Sequence, residues 1–157
     1  ETQILTASED HTLLLWDALT AEKIHHLKKH TGVVYTSEFI DTNVVASGGD
    51  DSMIHIWDLR SNSININTLS AHSAGVQRIR SGAKEYELYS CSKDKKALKW
   101  DLRTGNVVAT FAGHRDTVFD MSVVESSSCL VTTGADGFVR FFDSDSGNLR
   151  YEARVSK

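Results

Sequence analysis

Serine, histidine and aspartate, the residue types of a hydrolase triad, occur together at a fixed spacing in this chain. His30 is followed by Ser47 and then by Asp51. In a catalytic triad the histidine takes a proton from the serine hydroxyl, and the aspartate holds the imidazole in the correct tautomer. The first chemistry that these residue types suggest is therefore acyl transfer or hydrolysis.

The same group recurs along the chain, which argues against catalysis. It comprises a histidine, a hydroxyl residue, an aspartate and an aromatic residue followed by Asp, repeating every 41 to 43 residues. The members are His30, His72 and His114; Thr6, Ser47, Ser90 and Thr132; Asp10, Asp51, Asp94 and Asp136; and Trp16, Trp57, Trp100 and Phe142. An active site is normally built once, and no Gly-x-Ser-x-Gly elbow occurs in the sequence. The repetition favours a packing role, and we expect no enzymatic activity.

The sequence also predicts no metal site and no cofactor. His25 and His26 are adjacent, so in a strand their rings point to opposite faces. The two cysteines, Cys91 and Cys129, are too few for a disulfide framework and are expected to be small buried side chains. Their number indicates a reducing compartment.

The segments between the repeated residues are predicted to be short strands. They are rich in β-branched and aromatic residues and are separated by Gly, Asp and Asn. No long segment shows a helical apolar period, so we expect almost no helix. The predicted strands are Gln3–Ser8, Thr12–Asp17, Lys23–Leu27, Val33–Ile40, Asn43–Ser47, Met53–Asp58, Ile64–Leu69, Gly75–Arg80, Leu88–Ser92, Ala97–Asp101, Val107–Phe111, Thr117–Val124, Cys129–Thr133, Phe138–Asp143 and Leu149–Val155.

These repeats resemble the WD-repeat β-propeller family, in which each unit forms a four-stranded antiparallel blade around a central channel. The resemblance implies an all-β chain with a partial blade over 1–28, lacking its inner strand, and complete blades over 29–70, 71–112 and 113–157. Such rings have about four to eight blades, and this family most often has seven. We therefore expect the chain, which begins at Glu1, to be a segment of a longer propeller whose remaining blades lie outside it.

The resemblance also implies a hydrogen-bond network in each blade. In blade two it would link the Trp57 indole, the Ser47 hydroxyl, the His30 imidazole and the Asp51 carboxylate. Such a chain of donors and acceptors can satisfy itself away from water. The full set of network residues is Thr6, Asp10, Trp16, His30, Ser47, Asp51, Trp57, His72, Ser90, Asp94, Trp100, His114, Thr132 and Asp136.

Blade four departs from this pattern at its aromatic residue. Phe142 has no N–H, so we expect its network to contain only His114, Thr132 and Asp136. Blade four should then be the weakest of the complete blades.

Composition and family resemblance together favour a protein-interaction scaffold. The 157 residues carry 17 Lys+Arg and 21 Asp+Glu, a net charge of −4, which gives no general attraction to nucleic acid. No apolar run approaches the roughly 20 residues that span a bilayer. Proteins of this family mostly hold protein partners, and loops on a rigid scaffold commonly carry binding. We expect an intracellular eukaryotic protein of the cytoplasm or nucleus, with protein partners, no membrane and no direct nucleic-acid binding.

In this family the narrow face of the ring gathers two positions per blade at the channel mouth. One lies five residues after the histidine: Tyr35, Gln77 and Phe119. The other precedes the turn aspartate, and among these residues Asp50 and Lys93 are the candidates for partner contact. Aromatic residues at a rim are plausible hot spots. The alternative is that Tyr35 and Phe119 simply pack between inner strands.

Two more specific functions remain open. Arg60 and Arg103 each end a W-D-x-R box that is similar to the box with which WD-repeat substrate receptors of cullin-RING ubiquitin ligases dock their adaptor. The alternative is that each arginine pairs with a loop acid. Four lysines around blade three favour another function, that of a subunit of a ribonucleoprotein assembly. The alternative is that these lysines only form a solvated turn. They are Lys93, Lys95, Lys96 and Lys99.

Overall fold

The computed structural model describes residues 2–60 and 65–155, and these residues form four antiparallel sheets. The first sheet has three strands and each of the others has four. The strands are β1 Gln3–Ala7, β2 Thr12–Asp17, β3 Lys23–Lys28, β4 Val34–Phe39, β5 Val44–Gly49, β6 Ile54–Asp58, β7 Asn65–Leu69, β8 Val76–Ser81, β9 Glu87–Ser92, β10 Lys96–Asp101, β11 Asn106–Ala112, β12 Val118–Val124, β13 Cys129–Gly134, β14 Phe138–Asp143 and β15 Leu149–Arg154.

Each sheet is a meander, because neighbouring strands in the sheet are also neighbours in sequence. This arrangement confirms three complete four-stranded blades and one partial blade, with strand ends within two residues of the prediction. The predicted blade limits at Glu1 and Lys157, and the predicted strand start at Ile64, lie outside the described residues.

Helix is almost absent from the described residues. They contain a single 3₁₀ turn, Glu125–Ser127, between β12 and β13. Among them no helix has the length and apolar character that crossing a membrane requires.

The core consists of apolar layers between successive blades. Trp57 packs with Leu13 and Leu27 of blade one, and Trp100 packs with Ile54 and other residues of blade two. The layer between blades three and four contains three aromatic rings, with that of Phe111 between those of Tyr89 and Phe142. Burying one such side chain contributes about 1.5–3 kcal/mol, so each blade is stabilised chiefly by its neighbours.

The innermost strands β4, β8 and β12 lie side by side. They therefore bring the same position of each repeat to one surface. The two cysteines, Cys91 and Cys129, are unpaired and buried in β9 and β13.

Candidate functional site

The histidine of blade two lies at the centre of a continuous hydrogen-bond network. The Trp57 Nε1–H donates to Ser47 Oγ at 2.8 Å, and Ser47 Oγ lies 2.8 Å from Nε2 of His30. Nδ1 of His30 lies 2.9 Å from Oδ2 of Asp51. With the ring proton on Nδ1, the hydroxyl donates to Nε2 and the imidazole donates to the carboxylate, so every polar group has a partner.

Burial controls the protonation of this network. It lowers the pKa of His30, which is therefore neutral at neutral pH. Burial alone would raise the pKa of Asp51, but the backbone N–H of Thr31 and the His30 ring hold it below its usual range. Ser47 has no exposed surface. Because a substrate cannot reach this hydroxyl, the Ser-His-Asp group is placed for structure rather than for nucleophilic attack.

Blade three repeats this geometry. The Trp100 Nε1–H donates to Ser90 Oγ at 2.8 Å, and Ser90 Oγ lies 2.8 Å from Nε2 of His72. Nδ1 of His72 lies 2.8 Å from Oδ2 of Asp94. Two successive blades thus hold the same four residue types with the same atoms in contact.

Blade one contains the part of the network that its three strands can supply. The Trp16 Nε1–H donates to Thr6 Oγ1 at 3.0 Å. Asp10 accepts from the backbone N–H of Thr12 at 3.0 Å and shows no hydrogen bond to a histidine in the described part of the chain. Its role there is to hold a tight turn.

Blade four differs from its prediction. Nε2 of His114 lies 2.8 Å from Thr132 Oγ1, and Nδ1 lies 3.0 Å from Asp136 Oδ1. Arg140, only 3% exposed, joins them, with Nη1 2.7 Å from both Asp136 Oδ2 and His114 Nδ1. The prediction that only three residues form this network was therefore wrong: a buried guanidinium joins it at His114 and Asp136, at the opposite end from Thr132, which is the residue that the missing indole would have contacted.

Blade two contains a second buried histidine that the sequence did not single out. His55 is 4% exposed, its ring centroid lies 4.4 Å from that of His30, and its Nδ1 lies 2.9 Å from Thr68 Oγ1. The position is two residues before the tryptophan, and blades three and four have Leu98 and Arg140 there. Because this shared position carries a different residue type in each blade, the repeat gives no signal for either His55 or Arg140.

The narrow-face candidates Tyr35, Gln77 and Phe119 lie at the same β-bulge in three blades. In blade two Val34 pairs with Gly49 and Thr36 pairs with Gly48, so the residue between them has no partner. The corresponding register shift occurs at Gln77 in β8 and at Phe119 in β12. A bulge redirects a side chain out of the sheet. Tyr35 is 39% exposed and Phe119 is 55% exposed.

Three narrow-face candidates are in direct contact. Lys93 Nζ lies 2.7 Å from Asp50 Oδ1 and 3.0 Å from the Tyr35 hydroxyl, and 4.7 Å from the centre of the Tyr35 ring. The hydrogen bond from Lys93 lowers the pKa of Asp50. The cluster joins blades two and three across their boundary.

The arginines of the two W-D-x-R boxes have matching conformations. In Arg60, Nε lies 3.0 Å and Nη2 lies 2.7 Å from the carboxylate oxygens of Asp58. Arg103 makes the same two contacts with Asp101 at the same distances. Their side chains are 65% and 66% exposed. The hydrogen bonds from Arg60 lower the pKa of Asp58 to about 2.

The four lysines of blade three do not form one basic patch. Lys99 is 6% exposed, and its Nζ lies 2.8 Å from Glu87 Oε1 and 3.0 Å from Asp145 Oδ1 of blade four. Lys93 is held by Asp50. Among the described ion pairs, none involves the other two lysines.

The sequence profile of the family described as "WD domain, G-beta repeat" matches residues 21–58 and 105–143. The guanine nucleotide-binding protein subunit beta of Oryza sativa subsp. japonica is 31% identical over 159 residues, which covers 89% of this chain and 40% of that protein. The nuclear distribution protein PAC1 of Arthroderma otae is 32% identical, covering 92% of this chain and 34% of that protein.

Other similarities agree in fold. The DENN domain and WD repeat-containing protein SCD1 of Arabidopsis thaliana is 28% identical over 94% of this chain and 12% of its own length. The WD40 β-propeller domain of Doa1 superposes with a TM-score of 0.87 at 23% identity, covering 98% of this chain and 51% of that one. The computationally designed Ika8 protein gives a TM-score of 0.86 at 22% identity, covering 98% and 46%. The chain therefore spans half or less of the relatives and about half of the solved structures.

Proposed function

Because the chain belongs to the WD-repeat β-propeller family, we propose that it is a non-catalytic scaffold that holds protein partners through its loops and its narrow face. Proteins of this family generally bind other proteins. The observation that carries the proposal is the bulge repeated in β4, β8 and β12, at which Tyr35 of β4 and Phe119 of β12 are exposed.

The chemistry of these positions suits protein recognition. Tyr35 and Phe119 expose aromatic rings, and such residues dominate the energetics of interfaces. Lys93, itself held by Asp50, contacts the hydroxyl and the ring of Tyr35, so little side-chain freedom is lost on binding. Gln77, between the two aromatic positions, is half-buried, and its Nε2 is buried with no hydrogen bond among the described residues.

Affinity purification of the chain from cell extract with mass spectrometry tests this proposal. Tyr35→Ala and Phe119→Ala are expected to lose partners that the unmodified chain retains, with an unchanged melting temperature. Val108→Ala is the matched control, since Val108 is 54% exposed but lies on the outer strand β11. Unchanged partners in both narrow-face variants would exclude this face.

A second candidate function is that of a substrate receptor in a cullin-RING ubiquitin ligase. It is supported by the matching, exposed guanidinium groups of Arg60 and Arg103 in adjacent blades. Each guanidinium uses two N–H groups for its own aspartate, which leaves further donors for a partner. The ion pair with that aspartate accounts for the arginine conformation equally well, with no adaptor involved. An experiment has to distinguish adaptor docking from simple pairing with the loop acid.

Co-purification with the ligase adaptor distinguishes them. The double variant Arg60→Ala and Arg103→Ala should abolish adaptor binding, and Arg60→Lys with Arg103→Lys should weaken it because lysine lacks the bidentate fork. Adaptor binding that survives the alanine substitutions would contradict the receptor function.

A ribonucleoprotein role has less support, because Lys93 and Lys99 are neutralised by acids within the blades. A steep salt dependence of RNA binding would be its signature. We propose the cytoplasm or nucleus as its location; the relatives named above are proteins of plants and fungi.

A further inference from the structure

Blade two holds a group of metal-binding residue types that the other complete blades do not repeat. His30, Asp51 and His55 each place one donor atom within 4.8 Å of the other two. At the position of His55, blades three and four have Leu98 and Arg140. The family repeat accounts for the first two residues but not for the third, so the group is particular to this blade.

Each histidine of this group has one ring nitrogen already occupied by a hydroxyl. Nε2 of His30 lies 2.8 Å from Ser47 Oγ, and Nδ1 of His55 lies 2.9 Å from Thr68 Oγ1. A metal-binding histidine usually bonds an oxygen through its second ring nitrogen, which fixes the tautomer and the ring orientation. Nε2 of His55 has no hydrogen bond among the described residues, whereas Nδ1 of His30 bonds the Asp51 carboxylate at 2.9 and 3.0 Å, so a shared ion replaces that hydrogen bond with bonds to both residues.

The carboxylate of the group is held just as firmly. Asp51 accepts from the backbone N–H of Thr31 at 3.0 Å and from that of Met53 at 3.2 Å. Its oxygens face Nδ1 of His30 at 2.9 and 3.0 Å. All three side chains are therefore oriented by groups outside the cluster.

We propose that His30, Asp51 and His55 bind one divalent transition-metal ion, and that zinc is the ion this donor set suits. Two imidazole nitrogens with one carboxylate form a known zinc ligand set, whereas calcium and magnesium require oxygen ligands. Tetrahedral zinc bonds of about 2.0–2.2 Å place donor atoms roughly 3.4 Å apart, so the side chains draw together when the ion enters. This inference is independent of the proposed function.

Metal binding requires a change of tautomer in the blade network. The ring proton of His30 moves from Nδ1 to Nε2, from which it is donated to Ser47 Oγ. The two lone pairs of that oxygen can then accept from both His30 and Trp57, but the Ser47 O–H loses Nε2 as its acceptor, a cost that the metal–ligand bonds must exceed. No net proton is released by this change of tautomer.

The test is calorimetric titration of the metal-free chain with Zn²⁺, together with the visible spectrum of its Co²⁺ form. We expect one ion per chain and the absorption bands of tetrahedral cobalt. His55→Leu, which introduces the residue of blade three, should weaken Zn²⁺ binding more than about 100-fold. Thr68→Val keeps all three ligands and removes only the orienting hydroxyl, and should weaken binding about 10-fold.

The control is His25→Gln with His26→Gln, which removes the neighbouring histidines of β3 and should leave Zn²⁺ binding unchanged. Circular dichroism establishes that each variant is folded. The absence of stoichiometric Zn²⁺ binding, full affinity in His55→Leu, or loss of binding in the β3 control would overturn the proposal.

Discussion

One hydroxyl oxygen connects two strands and a loop at the centre of blade two. Ser47 Oγ accepts from the Trp57 indole and bonds the His30 ring, each at 2.8 Å, in a region closed to water. Since water cannot replace it, loss of this oxygen leaves a buried donor and a buried acceptor unpaired. Each such group costs about 1–3 kcal/mol.

Ser47→Ala should therefore lower the free energy of unfolding by about 2–4 kcal/mol, measured by chemical denaturation. Ser122→Ala, at an exposed position of β12, is the control and should change it by less than about 0.5 kcal/mol. Equal stability of the two variants would show that the network contributes little.

His55 makes the blade sensitive to acid. Its pKa is about 4 in the folded chain, lowered by burial and by His30 from its usual value of 6.5. Between about pH 4 and 6.5, His55 therefore binds a proton more readily in the unfolded chain than in the folded chain. The stability contributed by neutral His55 is complete above about pH 6.5 and is lost as pH falls toward 4.

Denaturation in the presence of a chelator, at several pH values from 7 down to 4.5, checks this dependence. The stability of the unmodified chain should fall more steeply than that of His55→Leu, which has no ring to protonate at this site. Parallel pH profiles would show that His55 is not the responsible group.

At the scale of single residues, some positions were predictable from sequence and others were not. The repeated His, Ser, Asp and Trp could be assigned because each recurs in register. Lys99 broke the apolar pattern before Trp100, and the acids that a buried lysine needs are Glu87 and Asp145. His55 and Arg140 could not be assigned, because their shared position varies between blades and only the folded sheet shows that it faces the histidine.

At the scale of elements, alternation and turn residues located the strands closely, since both are local signals. The bulges at Tyr35, Gln77 and Phe119 were not predictable, because a bulge depends on how two strands pair and not on either sequence alone. Blade four instead contains an ion-pair cluster between two strands: Arg140 of β14 contacts Asp136 at 2.7 Å and Glu152 of β15 at 3.2 Å.

Arg140→Leu places the residue type of blade three in blade four and removes the ion pair between β14 and β15. We expect amide hydrogen exchange in β15 to accelerate about 5- to 30-fold, equivalent to 1–2 kcal/mol. Exchange in β11, the corresponding strand of blade three, should not change. Glu152→Gln is the matched variant and should have a smaller effect, because it leaves the contact between Arg140 and Asp136. Uniform acceleration across all blades would instead indicate global destabilisation.

At the scale of the whole molecule, the apolar layers between blades explain why the terminal blades differ from the central ones. Each central blade is covered on both faces, whereas the described residues cover blades one and four on one face only. Large side chains are exposed there: Ile4 in β1 at 51% and Tyr151 in β15 at 73%. Among the described residues, β1 also pairs only with β2, which leaves one edge of that strand open.

Open strand edges and uncovered apolar faces promote pairing between chains. The 157-residue chain should therefore self-associate as its concentration rises, which light scattering coupled to size-exclusion chromatography measures directly. Ile4→Lys with Tyr151→Lys places charge on both terminal blades and should shift the distribution toward monomer. Val108→Lys adds the same charge at an exposed site of the central blade three and should not. Two results would show that the terminal blades are not the contact surfaces. One is a chain that stays monomeric at every concentration; the other is a shift toward monomer that is as large in Val108→Lys as in the variant of the terminal blades.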